Sequence, residues 1–217
     1  MAFPILLATL PLGAYLITIG TARLRGRVVV TTGGRNTFAL AIAISGLVAV
    51  GPAELFFPSA AGVTFGPAVW PMLGILYLLM TSLVVLNQRQ RLVVLGLSAE
   101  GIVEPLLRAC QTLDPSSRVD EQAGTLTLPA AAIHLRLIPH TGSLSADIEA
   151  FQTNVTPEFW QRLLTQLRAE TDALPKTAVG AGGVMTVVGS CLLALAAIQL
   201  ITVPGEVLLG LKDWLWR

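Results

Sequence analysis

Four long apolar runs that contain no lysine or arginine constrain this chain more than any other feature. They cover residues 4–20, 37–57, 67–86 and 178–203. As a helix, each would cross most or all of a hydrocarbon core of roughly 30 Å. Only 12% of the 217 residues are charged, against about 25% in soluble domains, which argues against a water-soluble fold. The sequence predicts an integral membrane protein with about four transmembrane helices.

The arginines around these runs indicate an orientation. The loop after the first run has no acidic residue and contains Arg23, Arg25, Arg27 and Arg35. The loop at 58–66 has no charge. Because basic loops stay in the cytoplasm, we expect both termini outside and residues 87–177 inside. The first run lacks a basic leader and a cleavage site, so we expect it to remain as an anchor.

The last segment, after Pro204, is too short to span and alternates apolar with charged residues. We expect it to form an amphipathic helix on the membrane surface or on a partner. Trp214 and Trp216 would then lie at headgroup level, and Trp70 would be a similar anchor on the same outer side.

Residues 87–177 have the composition of an ordinary soluble domain. Helix caps are predicted at Ser98 and Thr156, and Pro105 is expected to bend or restart the first helix. Trp160, Leu163, Leu164 and Leu167 form an apolar stripe on the second helix. Strands are predicted at 92–95, 118–121, 125–128, 133–138 and 144–151. The fold predicted for this segment is a small cytosolic α+β sandwich inserted between the third and fourth spans, with both helices on one sheet face.

Small residues recur at intervals of four on two of the predicted spans. Such faces let helices approach closely, so we interpret them as packing seams within the chain or between subunits. A chance lipid-facing pattern is the alternative. The residues are Ala41, Ser45, Ala49 and Ala53 on the second span, and Gly182, Thr186, Ser190 and Ala194 on the fourth.

Glu54 and Gln199 are the candidate polar residues inside the membrane. Glu54 follows Gly51 and Pro52, where a helix can open, and a carboxylate at that depth would indicate an ion or proton role. Its position near the outer end of the span favours a solvated interfacial carboxylate or a packing contact over that role. Gln199 can satisfy its amide against a neighbouring helix.

Recognisable chemistry is sparse. His134 and Arg136 are expected to face Ser145, Asp147 and Glu149 across a hairpin, as a charge match rather than a catalytic pair. His140 is expected to be a surface residue. Residues 31–35 fit either an anion nest or a tight turn. The sequence has no phosphate-binding loop, hydrolase elbow or metal-spaced cluster, so we predict no catalytic residue, cofactor or metal. Cys110 and Cys191 are expected to be free thiols, and clustered basic residues for nucleic acid are absent.

Two segments carry a resemblance. Residues 44–58, from Ile44-Ser45-Gly46-Leu47 to Phe57-Pro58, and Arg91-Leu92-Val93-Val94 resemble uncharacterised bacterial inner-membrane proteins. The resemblance implies three spans, a small cytosolic domain and a last span in the bacterial cytoplasmic membrane, and it implies no activity.

The function expected from these features is non-enzymatic. The chain would be a scaffold, assembly or regulatory subunit that binds other membrane proteins or itself. The alternative is a small oligomeric transporter or channel component that uses Glu54.

Overall fold

The computed structural model describes residues 2–51, 65–120, 125–140, 144–152, 154–174 and 180–215. Its helices are α1 (Ala2–Leu24), α2 (Gly33–Val50), α3 (Val69–Asn87), α4 (Ala99–Leu113), α5 (Pro157–Asp172), α6 (Gly180–Thr202) and α7 (Pro204–Leu215), with a short 3₁₀ turn at Gly66–Ala68 before α3. Its strands are β1 (Val29–Thr32), β2 (Arg91–Leu95), β3 (Arg118–Asp120), β4 (Thr125–Leu128), β5 (Ile133–Pro139) and β6 (Ser145–Ala150).

The chain divides into two compact units. We call the first the helix unit; it comprises Met1–Thr21, Thr37–Leu86 and Ala181–Arg217. The second, the sheet unit, comprises Ala22–Asn36 and Asn87–Gly180. The segment between the first two spans therefore belongs to the sheet unit, an arrangement that the sequence did not predict.

Within the described part of the chain, four helices are long and apolar enough to cross a membrane. They are Phe3–Leu24, Gly33–Val50, Gly66–Asn87 and Gly182–Thr202. The first helix extends four residues beyond the predicted run, and the second begins four residues earlier than predicted. The end of the predicted second span, from residue 52, lies outside the described residues.

A glycine fixes the point where α1 ends. Gly26 has a φ of 62°, and its N–H donates to the carbonyl of Arg23 while the N–H of Arg27 donates to the carbonyl of Ala22. This pair of bonds is the Schellman motif, which satisfies carbonyls that the helix itself leaves open. The chain can therefore leave the helix sharply and enter β1 three residues later.

The six strands form one antiparallel sheet in the order β1-β2-β6-β5-β4-β3. The strands predicted for residues 87–177 are all present. The sequence analysis missed β1, which pairs with β2 so that Val30 lies opposite Val94. We had expected a nest or a turn at residues 31–35. Instead Thr31 and Thr32 complete β1, and α2 begins at the next residue.

One apolar core lies between the sheet and helices α4 and α5. Side chains from both helices and from alternate strand positions are buried in a single cluster. The fully buried members include Leu92, Val94, Ile102, Leu106, Leu128, Ile148, Leu163 and Leu167. As predicted, the Ser98 hydroxyl accepts the N–H of Gly101, and the Thr156 hydroxyl accepts the N–H of Phe159. Helix α4 continues unbroken through Pro105, so it does not restart there.

Candidate functional site

Helices α1 and α6 pack antiparallel through glycines. A Cβ added at Gly20 would lie 2.7 Å from the backbone nitrogen of Thr186 and 3.1 Å from the carbonyl oxygen of Gly182. At the middle of the pair, a Cβ on Gly189 would lie 2.9 Å from the carbonyl oxygen of Gly13. Real side chains do not tolerate such distances, so the two backbones can meet here only because glycine has no side chain.

The predicted small-residue face of α6 divides into two parts. Gly182 and Thr186 lie at the contact with Gly20, whereas Ser190 and Ala194 are exposed on the surface of the chain. An interval of four residues overshoots a full helical turn by about 40°, so three intervals rotate the row by roughly 120°. The contact with α1 instead follows a spacing of seven, from Gly182 through Gly189 to the buried Ala196. A seam between subunits at Ser190 and Ala194 stays a prediction.

The small-residue face of α2 lies beside α3. The Tyr77 hydroxyl donates to the carbonyl of Ala41 over 2.6 Å. Ser45 and Ala49 line a cavity of about 260 Å³ that is also bordered by Pro11 of α1. The tightest contact of α2 is instead made by its neighbour Gly46, whose added Cβ would overlap the carbonyl of Leu7. Ala53 lies outside the described residues.

Two tryptophans, Trp70 and Trp214, border this cavity. Trp70 stacks on Trp214 of α7 with ring centroids 3.4 Å apart, and its indole N–H donates to the carbonyl of Trp214. Phe3 lies 5.6 Å from the same ring. The structure thus brings together the two tryptophans predicted as anchors on one side, and α7 forms as the predicted helix. Trp216 lies outside the described residues.

The two candidate intramembrane polar residues differ in what the structure shows. Glu54 lies outside the described residues. The amide oxygen of Gln199, on α6, is buried and has no hydrogen-bond partner among the described residues. An unpaired amide oxygen in a membrane helix is costly unless another group supplies a donor.

An ion-pair network lies on the sheet face opposite the core. Asp147 is buried and lies 3.1 Å from Arg91 and 3.0 Å from the imidazole of His140. Glu149 lies 3.7 Å from Arg91 and 3.8 Å from Arg136. The expected match of Arg136 with Glu149 is present, but Asp147 faces β2 and the hairpin end instead of His134.

His134 also departs from the expectation. It lies opposite Thr127 of β4, and its ring is hydrogen-bonded to the Thr127 hydroxyl over 3.1 Å. His140 is half-exposed, as expected of a surface residue, but its imidazole contacts Asp147. The reason for both differences is register: β5 aligns Leu135 with Ala150, which moves His134 beyond the acidic residues of β6.

The sheet unit has a cleft beside β1. Its volume is about 570 Å³, and its charged lining residues are Arg27, Arg168 and Asp172. Arg168 is held in place because its Nε and Nη2 donate to the carbonyl of Val30 over 3.0 and 2.8 Å. Arg27 and Asp172 make no ion pair or side-chain hydrogen bond with any described residue. The cleft therefore presents both signs of charge.

The cysteines are both free thiols, as predicted. Burial, followed by the nearby Asp114 carboxylate, raises the pKa of the Cys110 thiol to about 12. That thiol stays protonated at neutral pH, which argues against a nucleophilic role for it. Cys191 is exposed on α6. Among the described residues, no three His, Cys, Asp or Glu side chains are grouped so as to hold a metal ion.

Comparison of the chain with models of protein families, with curated proteins and with solved structures gives no match. The site must therefore be interpreted from its own geometry.

The cleft beside β1 is what the sequence analysis missed. A signal was present, because residues 28–32 are five consecutive β-branched residues, the composition typical of a strand. We had assigned them to a loop because they lie between two spans. Arg168 and Asp172 give no sequence signal at all, since only the packing of α5 against β1 brings them near Arg27.

Proposed function

We propose that this protein is a non-enzymatic scaffold, assembly or regulatory subunit of a membrane complex. Its helices would bind helices of other subunits or of a second copy, and its sheet unit would dock a partner in the cytoplasm. The membrane would be the bacterial cytoplasmic membrane, with both chain termini on the outer side.

The observation that carries this proposal is the exposed part of the small-residue face on α6. Ser190, Ala194 and Ala197 are exposed and lie one or two turns apart on one side of the helix. The glycines that hold α6 to α1 occupy a different side. A helix with a second small-residue face can be approached closely by another helix, and in a membrane close approach is the main source of helix association.

The four unpaired arginines near the span ends support the orientation. Arg25, Arg27, Arg35 and Arg89 make no ion pair with any described residue. Three of them lie between α1 and the first turns of α2, and Arg89 follows α3. Basic side chains at these ends favour the cytoplasmic side.

Photocrosslinking in native membranes tests the subunit role. A photoreactive residue at Ser190 should give a specific product with another membrane protein or with a second copy. A photoreactive residue at Val188 is the control, because it lies roughly 200° around the same helix at nearly the same depth. Lipid adducts alone at both positions would contradict the proposal.

Cysteine labelling tests the orientation. In a chain whose native cysteines are replaced by alanine, Asp213→Cys on α7 should react with an impermeant maleimide in intact cells. Gln111→Cys on α4 should react only after the membrane is permeabilised. The reverse pattern would place the sheet unit outside.

The runner-up is a small oligomeric transporter or channel component, and the orphaned amide oxygen of Gln199 is the observation that favours it. In that case Gln199→Leu should lower substrate or ion flux in an otherwise intact protein, and Glu54→Ala should do so as well. Unchanged flux in both variants would remove this alternative.

A further inference from the structure

We propose that the cleft beside β1 binds the headgroup of a zwitterionic aminophospholipid, with the phosphate on the arginines and the primary ammonium on Asp172. The proposal depends on the placement of α1 in a membrane and not on the scaffold role. It concerns one pocket of the sheet unit, whose lining residues all belong to that unit.

Chain continuity places this cleft near lipid headgroups. Arg27 follows the last residue of α1 by three positions. An extended chain covers at most about 3.6 Å per residue, so Arg27 lies within roughly 11 Å of the end of the span. Lipid phosphates are at that level of a bilayer. A ligand of the cleft that extends acyl chains into the bilayer is therefore within reach.

The phosphate part of the ligand has two guanidinium partners. Arg168 uses two of its five N–H groups on the Val30 carbonyl, which leaves three for a ligand and holds the side chain in a fixed position. The side chain of Arg27 has no ion pair or hydrogen bond with any described residue. Guanidinium groups bind phosphate oxygens through charge-assisted hydrogen bonds.

A simple anion bound to the arginines would leave the Asp172 carboxylate in the same cleft without a cationic partner. Asp172 lines the same cleft, and it pairs neither with Arg27 nor with Arg168. The last turns of α1 and α5, at Ala22 and at Thr171, also border the cleft. The carbonyls of Ala22 and Thr171 already accept the N–H groups of Arg27 and Leu174, but a carbonyl oxygen has a second lone pair, and helix C-termini carry partial negative charge that favours cations. A ligand that carries a cation next to its phosphate matches both features.

The ammonium must also be able to donate hydrogen bonds. A primary ammonium offers three N–H donors to the Asp172 carboxylate and to helix carbonyls. A trimethylated ammonium offers none, and a glycerol headgroup has no positive charge. The expected preference is therefore for ethanolamine over choline and glycerol headgroups.

The experiment is native mass spectrometry of the full-length protein in detergent micelles with added phosphatidylethanolamine, phosphatidylcholine or phosphatidylglycerol of matched acyl chains. The wild type should retain the ethanolamine lipid about five- to tenfold more tightly than the other two. Asp172→Asn should abolish the preference over phosphatidylglycerol, Asp172→Glu should restore part of it, and Arg27→Gln should weaken retention by a similar factor. Arg25→Gln is the control, since Arg25 is exposed in the same turn but does not line the cleft.

Several outcomes would overturn the proposal. Equal retention of the three lipids, or equal losses in Arg25→Gln and Arg27→Gln, would show general surface attraction instead of a site. Displacement by inorganic phosphate would show a simple anion site, and displacement by soluble glycerophosphoethanolamine as strong as by the lipid would show a soluble ligand. Lipid retention can fail while the Ser190 crosslink forms, so this test is independent of the proposed subunit role.

Discussion

The helix unit and the sheet unit bury opposite kinds of residue. In the sheet unit, large aliphatic side chains fill the interior, and Leu92, Ile148 and Leu163 are fully buried. In the helix unit, glycines make the tightest contacts, and many large apolar side chains are exposed, although Leu6, Val69 and Val207 are buried. The outward-facing residues include Ile75, Leu79, Leu83, Val184, Val187 and Ile201.

The surroundings that we propose for each unit, lipid for the helix unit and water for the sheet unit, explain the difference. In water, burial of apolar surface drives folding, at about 25 cal/mol per Å². In lipid that driving force is missing between helices, because acyl chains are as apolar as leucine, and close backbone approach takes its place. Leu163 is therefore a core residue of the sheet unit, whereas Leu79 is a surface residue of the helix unit.

The largest effect should come from truncating a leucine in the sheet core. Leu163→Ala removes a side chain with 0% exposure, and it should lower the free energy of unfolding by about 2–5 kcal/mol. Leu79→Ala, at a position with 62% exposure on α3, is the matched control and should cost well under about 1 kcal/mol in detergent. Thermal unfolding of both variants measures the two losses of stability. Equal losses would contradict the difference that we describe between the two units.

The next effect should come from adding one methyl group to a glycine of the helix unit. Gly46→Ala would place a Cβ against the backbone carbonyl of Leu7, and overpacking of this kind costs about 1–3 kcal/mol. Gly74→Ala is the control, because nothing lies within 4 Å of its added Cβ. Resistance to thermal aggregation in detergent should fall only in the first variant. If both variants behave alike, glycine contacts do not hold the helix unit together.

The two units also differ in the interactions that their polar side chains make. Thr18 and Thr202 of the helix unit donate to carbonyls of their own helices, as Thr165 does in the sheet unit. The sheet unit adds ion pairs between strands. Asp147→Asn removes the negative charge that the buried Asp147 side chain presents to Arg91 and His140. It should lower the free energy of unfolding by about 1–3 kcal/mol. Glu104→Gln breaks an exposed ion pair with Arg108 and should lower the free energy of unfolding by at most about 0.5 kcal/mol. Hydrogen exchange of β6 amides should rise in the Asp147 variant alone.

The smallest expected effect is a loss of stability of the sheet unit at acidic pH. Hydrogen bonds from Ser116, its hydroxyl foremost, lower the pKa of Asp114, and the N–H of Ala130 adds to this. A lowered pKa in the folded state stabilises the sheet unit above the ordinary value of about 3.9, and this contribution is lost as the pH falls through the folded value. The protection of amides near Asp114 against hydrogen exchange, corrected for the intrinsic exchange rate at each pH, should therefore fall below about pH 4. Asp114→Asn should show a weaker pH dependence, and an unchanged one would contradict the assignment.

Local signals made part of this structure predictable. Ser98 and Thr156 cap their helices because a cap depends on a few adjacent residues. The strands at 118–120 and 125–128 follow from alternation along the chain. Four apolar helices of membrane length follow from composition alone.

The features that escaped prediction depend on distant partners. Asp147 finds Arg91 because β2 lies beside β6 in the sheet, and no pattern within the β5–β6 hairpin specifies that neighbour. The row from Gly182 to Ala194 looks continuous in the sequence, but it turns around the helix and only its first half meets α1. The β1 strand has a local signal in its β-branched residues, but it lies between two apolar runs and its partner strand β2 is about 60 residues away.

The pairing of β1 with β2 has a consequence for biosynthesis. Val30 pairs with Val94, and two membrane spans are translated between them. At about 5–20 residues per second, synthesis of the roughly 60 intervening residues takes several seconds, during which β1 has no partner strand. If α2 and α3 insert into a membrane as we propose, they are delivered there before the sheet can close, and a delay in insertion would leave an unpaired, β-branched strand exposed to aggregation.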